Sequence, residues 1–385
     1  MTDQKQDSKA QHYTGEYAEE GRIPQSLEHL AILVEQYSRI PFDAGAVLWR
    51  GGRCPRIRGQ CGSIRSISPT DHGPLMRTSY FGRPHSHMRS FITRFPVLVF
   101  VTIALGVQFA MVGFVYSMVP EGLEVNDVPL AHNVFRMRVF VPLLLVVLIT
   151  YYLEGSRGLK HLFGAFLHWR VPAKWYALAL SWKFIMGYLA IISVYVVYGG
   201  KLEWYIPDAL WSLFIHMPFI VGIAVVEETS WIRFSLSRMQ MRYSAFWSCM
   251  IVGNCWASWY LPMNLIDIGT PLGVPDIVFH SGVVSLTVLL AWVYNSTRSG
   301  TVLLIMQILS NMAFFLMPVL PNDVVPVDRI LAYAWIFVLV AVTLVLVFGP
   351  KNISRQNRVR WDEEDTVADD ATKNAGAVSA LARPA

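Results

Sequence analysis

Two adjacent carboxylates, Glu227 and Glu228, sit in VVEETSWIRF, residues 225–234, at the end of a long apolar run. Inside apolar segments of this length, an ionisable side chain costs roughly 2.5–3.5 kcal/mol on insertion scales unless it faces a cavity or a partner. The other such residues are Lys183, His216 and His280. A buried acid can serve as a general base, and a nearby histidine or amide can pass protons or hold a developing oxyanion. The plainer readings are structural: Lys183 paired to a carbonyl or a glutamate, and His216 hydrogen-bonded between helices. Consecutive residues on an α-helix point ~100° apart, so Glu227 and Glu228 cannot share one face. One can face a central polar space while the other pairs elsewhere.

The elements that must hold these groups are membrane helices. Of 385 residues, 54% are hydrophobic and 15% charged, with the charges crowded towards the two ends. Apolar segments fall at 97–118, 139–153, 175–198, 209–229, 245–266, 277–294, 301–320 and 330–348. Most reach the ~20 residues that cross a bilayer. The segment at 139–153 is short and is expected to recruit VFRMR upstream, with Arg136 and Arg138 snorkelling. The expected fold class is an all-α, multi-pass transmembrane helix bundle of about eight spans.

Lys and Arg give the orientation. Arg77, Arg83, Arg89 and Arg94 precede the first segment, Arg157, Lys160, Arg170 and Lys174 fill the second loop, and Arg238, Arg242, Arg298, Lys351, Arg355, Arg358 and Arg360 mark later loops on the same side. Both termini are therefore expected in the cytoplasm, in the plasma membrane if the source is prokaryotic. The net charge of +5 reads as this bias. No basic stripe interleaved with aromatics marks a soluble segment, so nucleic acid is excluded as a partner.

Residues 1–90 mix charge, Gly, Pro and Ser and read as a largely disordered extension, with one short helix at SLEHLAILVEQYSRI. The transmembrane region is 91–350, and 351–385 reads as a disordered cytoplasmic tail. No cleavable signal peptide is expected. Neither Cys54 and Cys61 nor Cys249 and Cys255 have zinc-ligand spacing, and a cytoplasmic setting disfavours disulfides. The N-x-S/T triplets at Asn295 and Asn352 fall in cytoplasmic segments and read as chance.

The stretch EETSWIRFSLSRMQMRYSAFWSCMIVGNCWASWYLP resembles the central signature of the CAAX prenyl endopeptidase and bacteriocin-processing (CPBP) family, where it typically reads EExxWRGF, a basic turn, then WxxWHLP. Upstream, GLKHLFGAFLHWRVPAKWYALAL is similar to the family's entry helix. Downstream, LAWVYNSTRSGTVLLIMQILSNM resembles its YNRTGSLLxAILLHASxN segment. The resemblance covers about residues 150–315 and implies an intramembrane endopeptidase acting on membrane-bound or prenylated, CAAX-like peptides. In that family the first Glu of the pair and a His of the next helix activate water, while a later His and an Asn four residues on form the oxyanion side or complete a metal site.

Carried over position by position, Glu227 and Glu228 match, Tyr260 and Gln307 stand where the family has His, Ile232 where it has Arg, and Asn311 is retained. On an α-helix Arg233, five residues after Glu228, is rotated by ~140° and poorly placed to neutralise it. His216 sits ~16 Å from Glu227 along the helix, and His280 ~13 Å nearer the outside than Gln307, so neither replaces a missing imidazole. Carboxylates, a phenol and amides lack the nitrogen donors a zinc site uses, so no cofactor is expected, and a divalent metal only if the degenerate set still binds one. Tyr260, Gln307 and Asn311 can donate hydrogen bonds to an oxyanion but cannot exchange protons near neutral pH as His does. The resemblance thus implies an endopeptidase homologue of reduced or lost activity. The alternative is a non-catalytic membrane binding or immunity-like protein with the same fold, whose partners are the bilayer and a lipidated peptide or a membrane protein. A transporter is disfavoured because no pair of broken helices repeats in two halves.

Overall fold

The computed structural model describes residues 85–199, 202–205, 209–266, 268, 274–318 and 327–362. The chain divides into two units, Met1–Phe81 and Gly82–Ala385. The first lies outside the described residues, as do the helix expected within 26–40 and the Cys54/Cys61 pair.

Among the described residues there is no strand. The elements are α1 (His85–Arg94), α2 (Pro96–Met118), α3 (Pro129–Met137), α4 (Val141–Gly164), α5 (Ala173–Tyr198) and α6 (Ala209–Glu227). A π-helix, Glu228–Leu236, continues α6 without a break and ends in the turn Ser237–Met239. Then come α7 (Ala245–Tyr260), α8 (Asp276–Thr297), α9 (Gly300–Leu316) and α10 (Val327–Phe348).

Local chemistry sets many boundaries. Proline occupies the first turn of α2, α3 and α4, where its missing N–H is no loss. The hydroxyls of Ser244 and Ser299 cap α7 and α9 by accepting from Trp247 N and Val302 N. Arg298 adopts the left-handed region, φ 56°, and stops α8. Gly155, at φ 65° and ψ −153°, interrupts α4 with a conformation that favours glycine.

Six helical stretches are long and apolar enough to cross a membrane: Pro96–Met118, Pro129–Leu167, Ala173–Tyr198, Leu213–Met239, Asp276–Thr297 and Val327–Phe348. All eight expected segments are helical, but α7, with 16 residues, and α9, with 17, are shorter than these six. The bundle's outward side chains include Phe114, Leu148 and Val196, 57%, 54% and 73% exposed. So much outward apolar surface matches lipid as the surrounding solvent. The molecule is an integral membrane protein by this reading of its helices.

Two expectations change. The second span does recruit residues upstream of 139, but Arg138 does not snorkel: it is 4% exposed, inside the protein. Its neighbour Arg136 lies over the Phe219 ring, 4.1 Å from the centroid. The chain from 351 is not disordered at its start, because Ile353, Val359 and Trp361 are buried against the bundle.

The core that positions the acids is tightly built. Trp231 of the π-helix stacks on Trp256 of α7 at 6.0 Å and meets Phe100 of α2 edge-on at 5.2 Å. Helices α7 and α8 approach at Gly253, where an added Cβ would stand 2.9 Å from Val284 Cα. Small residues at such crossings let membrane helices pack backbone to backbone.

Candidate functional site

Glu227 is the last residue of α6, at the point where the hydrogen-bond ladder changes from i→i+4 to i→i+5. The wider winding is visible in Ser235, whose hydroxyl donates to Ser230 O five residues back, and in the N–H of Ser237, which donates to Ile232 O. Short π-helical stretches inside α-helices occur often at functional sites.

Three helices meet at Glu227. Tyr260, the last residue of α7, donates its phenolic hydrogen to Oε1. Gln307, in the middle of α9, donates from Nε2 to Oε2 at 2.6 Å. Glu227 is 3% exposed and Gln307 equally so. Tyr260 and Gln307 therefore each take one oxygen of the carboxylate.

Other members of the expected set do not join these bonds. Glu228 is fully buried, and neither of its oxygens has a hydrogen-bond partner among the described residues. Asn311 lies one turn beyond Gln307, and its Nδ2 and Gln307 Oε1 are likewise buried without partners there. Such buried polar atoms are the places where a water or a polar ligand would bond.

Two cations face the carboxylate. Lys183 of α5 and Arg138, in the turn between α3 and α4, both interact electrostatically with Glu227. Lys183 Nζ lies 5.2, 5.1 and 5.0 Å from the rings of Trp182, Tyr333 and Phe337, an aromatic surround that favours an ammonium. The Arg138 guanidinium lies 4.0 Å from the Phe135 ring centroid and 5.2 Å from that of Trp259, and it donates from Nη2 to Met263 Sδ at 2.9 Å. It also faces Tyr260 electrostatically. Sequence reasoning missed Arg138.

Arg233 is committed elsewhere. It donates to His161 O at 2.7 Å, Leu162 O at 3.3 Å and the Tyr294 hydroxyl at 2.9 Å. The reason differs from the α-helical one, since a π-helix brings residues five apart close to one face; the carbonyls at the end of α4 hold the guanidinium instead. Ile232 is fully buried in the apolar core. The His216 ring lies 5.6 Å from that of Phe315, tilted by 48°, and His280 bonds Asn254 through Nε2 at 2.8 Å. Neither belongs to the Glu227 hydrogen-bond set.

The donors to Glu227 are a phenol and one amide, and no group of three or more His, Cys, Asp or Glu residues that could hold a metal occurs among the described residues. A zinc-type ion, which takes nitrogen or thiolate donors, does not fit this set. Chemically, the arrangement offers a carboxylate with both oxygens accepting hydrogen bonds from fixed protein donors, and no imidazole to accept and return a proton.

No protein-family model matches this chain, and no curated protein matches it in sequence.

Proposed function

We propose that the chain is a CPBP-type multi-pass membrane protein, a homologue of intramembrane endopeptidases in which hydrolysis is lost. In this reading all eight apolar segments cross the bilayer, α7 and α9 as short spans held within the bundle, with both termini cytoplasmic. The protein binds a membrane-bound or lipidated peptide, or a partner membrane protein, as an immunity-like protein does, and leaves it uncut.

The observation that carries the reading is the engagement of both Glu227 oxygens, by Tyr260 and by Gln307. A base that activates water needs an oxygen directed at that water and a route for the proton afterwards. Here each oxygen is turned towards a side chain that donates and does not relay. The centre works as a polar tie across α6, α7 and α9. Slow residual hydrolysis is the second reading, favoured by the unpartnered Asn311 Nδ2 and Gln307 Oε1, which leave groups for a water or an oxyanion one helical turn apart.

A prenylated peptide carrying a photoreactive group tests the binding reading with the purified protein in detergent. The expected product is an adduct of protein with intact peptide. Peptide cleaved by the native protein and left whole by Glu227→Gln would overturn it.

A further inference from the structure

We infer that residues 349–361 form an intramolecular strap that clamps the Ser237–Gln240 end of the helix carrying Glu227 and Glu228, so that this segment sets the rigidity of that helix. The inference rests on backbone and side-chain geometry alone and is independent of whether Glu227 acts on a peptide.

The first observation is backbone satisfaction. The motif helix ends at Met239, and α7 begins at Ala245, leaving a tight turn with orphan carbonyls before it and orphan N–H groups after it. The strap bonds both kinds. Trp361 N donates to Ser237 O and Arg358 Nε to Gln240 O, while Ala245 N and Phe246 N donate to Lys351 O and Pro350 O. A segment that merely lay on the surface would leave these groups to water.

The second observation is a buried amide joint. Gln240 and Asn295 of α8 exchange hydrogen bonds, Gln240 Nε2 to Asn295 Oδ1 at 3.1 Å and Asn295 Nδ2 to Gln240 Oε1 at 2.9 Å. The remaining capacity of both amides goes to the strap: Asn295 Nδ2 donates to Asn352 O, Asn295 Oδ1 accepts from Val359 N, and Gln240 Nε2 donates to Val359 O. Asn352 in turn accepts from Arg358 N at 3.4 Å. Asn295 is thus one side of the joint, and Asn352 meets it through its backbone carbonyl.

The third is the anchor. Trp361 donates from Nε1 to both oxygens of Glu154 at 3.0 and 3.2 Å, lies under the Arg238 guanidinium at 3.5 Å, and meets the His161 ring at 4.5 Å. Arg238 and Glu154 are themselves paired at 2.6 Å. Glu154 directly precedes Gly155, where α4 breaks, so the anchor ties the strap to that break as well as to the motif helix. One tryptophan joins α4, the π-helix and the strap.

Hydrogen exchange on the detergent-solubilised protein tests this. Three variants are compared with the full chain: one ending at Asp362, one ending at Phe348, and Trp361→Ala. Exchange in 228–247 is expected to match the full chain when the chain ends at Asp362, and to quicken about tenfold or more in the other two, with 176–196 unchanged. Unaltered exchange in 228–247 for Trp361→Ala and the shorter chain would overturn the inference. So would an equal rise in both segments, because the C-terminal residues would then be a general stabiliser and not a clamp on one helix.

Discussion

Tyr260 and Gln307, from different helices, donate to different oxygens of the same carboxylate, Glu227. Through it the carboxylate at the end of α6 is bonded to both α7 and α9, and in the proposed reading these two fixed donors stand in place of a proton relay.

If the tie is structural, removing either donor leaves a buried acceptor unsatisfied. Tyr260→Phe and Gln307→Leu are each expected to destabilise the protein by about 1–3 kcal/mol, read as a lowered thermal midpoint in detergent. Neither should change the oligomeric or spectroscopic state of the folded protein at low temperature. Midpoints equal to the native one would show that the bonds carry no weight.

Lys183 and Glu227 attract each other across α5 and α6. Lys183→Met and Glu227→Gln should each destabilise, and the double variant should lose less than the sum, with a coupling of about 0.5–3 kcal/mol in a double-mutant cycle. Strict additivity would separate the two residues energetically.

Gly253 is where α7 passes α8. Because a Cβ would stand 2.9 Å from the Val284 backbone, Gly253→Ala must push the helices apart. A loss of about 1–3 kcal/mol is expected. Gly106, with open space around it, serves as the comparison site, and Gly106→Ala should leave the midpoint unaltered or slightly raised.

Much of this architecture is readable from apolar length. Each apolar run of the sequence is a helix, because burying the backbone in lipid leaves the helix as the way to satisfy its polar groups. Length also explains the discrepancy in span number: α7 gives way to a 3-10 turn at Leu261 and α9 ends at Leu316, so each falls short of the usual crossing. The pairing of Glu227 with positions 260 and 307 was legible only through the motif resemblance, since nothing in hydropathy connects residues 33 and 80 apart.

Three features were hidden for physical reasons. The π-helix leaves no compositional mark, and α-helical spacing placed Arg233 on the wrong basis. Arg138 looked like an interfacial arginine because an arginine near the end of an apolar run usually reaches water; its direction depends on how α3 meets α4. The strap is polar and charged in sequence, like a disordered tail, yet it binds through backbone groups, two amides and one tryptophan. Those contacts are long-range, 57 to 207 residues apart, and no local pattern records them.

The central claim is that Glu227 is tied up and does not activate water because its partners are Tyr260 and Gln307. It is tested most directly by cleavage of a prenylated peptide by the native protein, by Tyr260→His/Gln307→His, and by that double variant with Glu227→Gln added. The account predicts background cleavage by the native protein, a gain of about tenfold or more on restoring both imidazoles, and its loss with Glu227→Gln. Cleavage by the native protein that Glu227→Gln abolishes would contradict it.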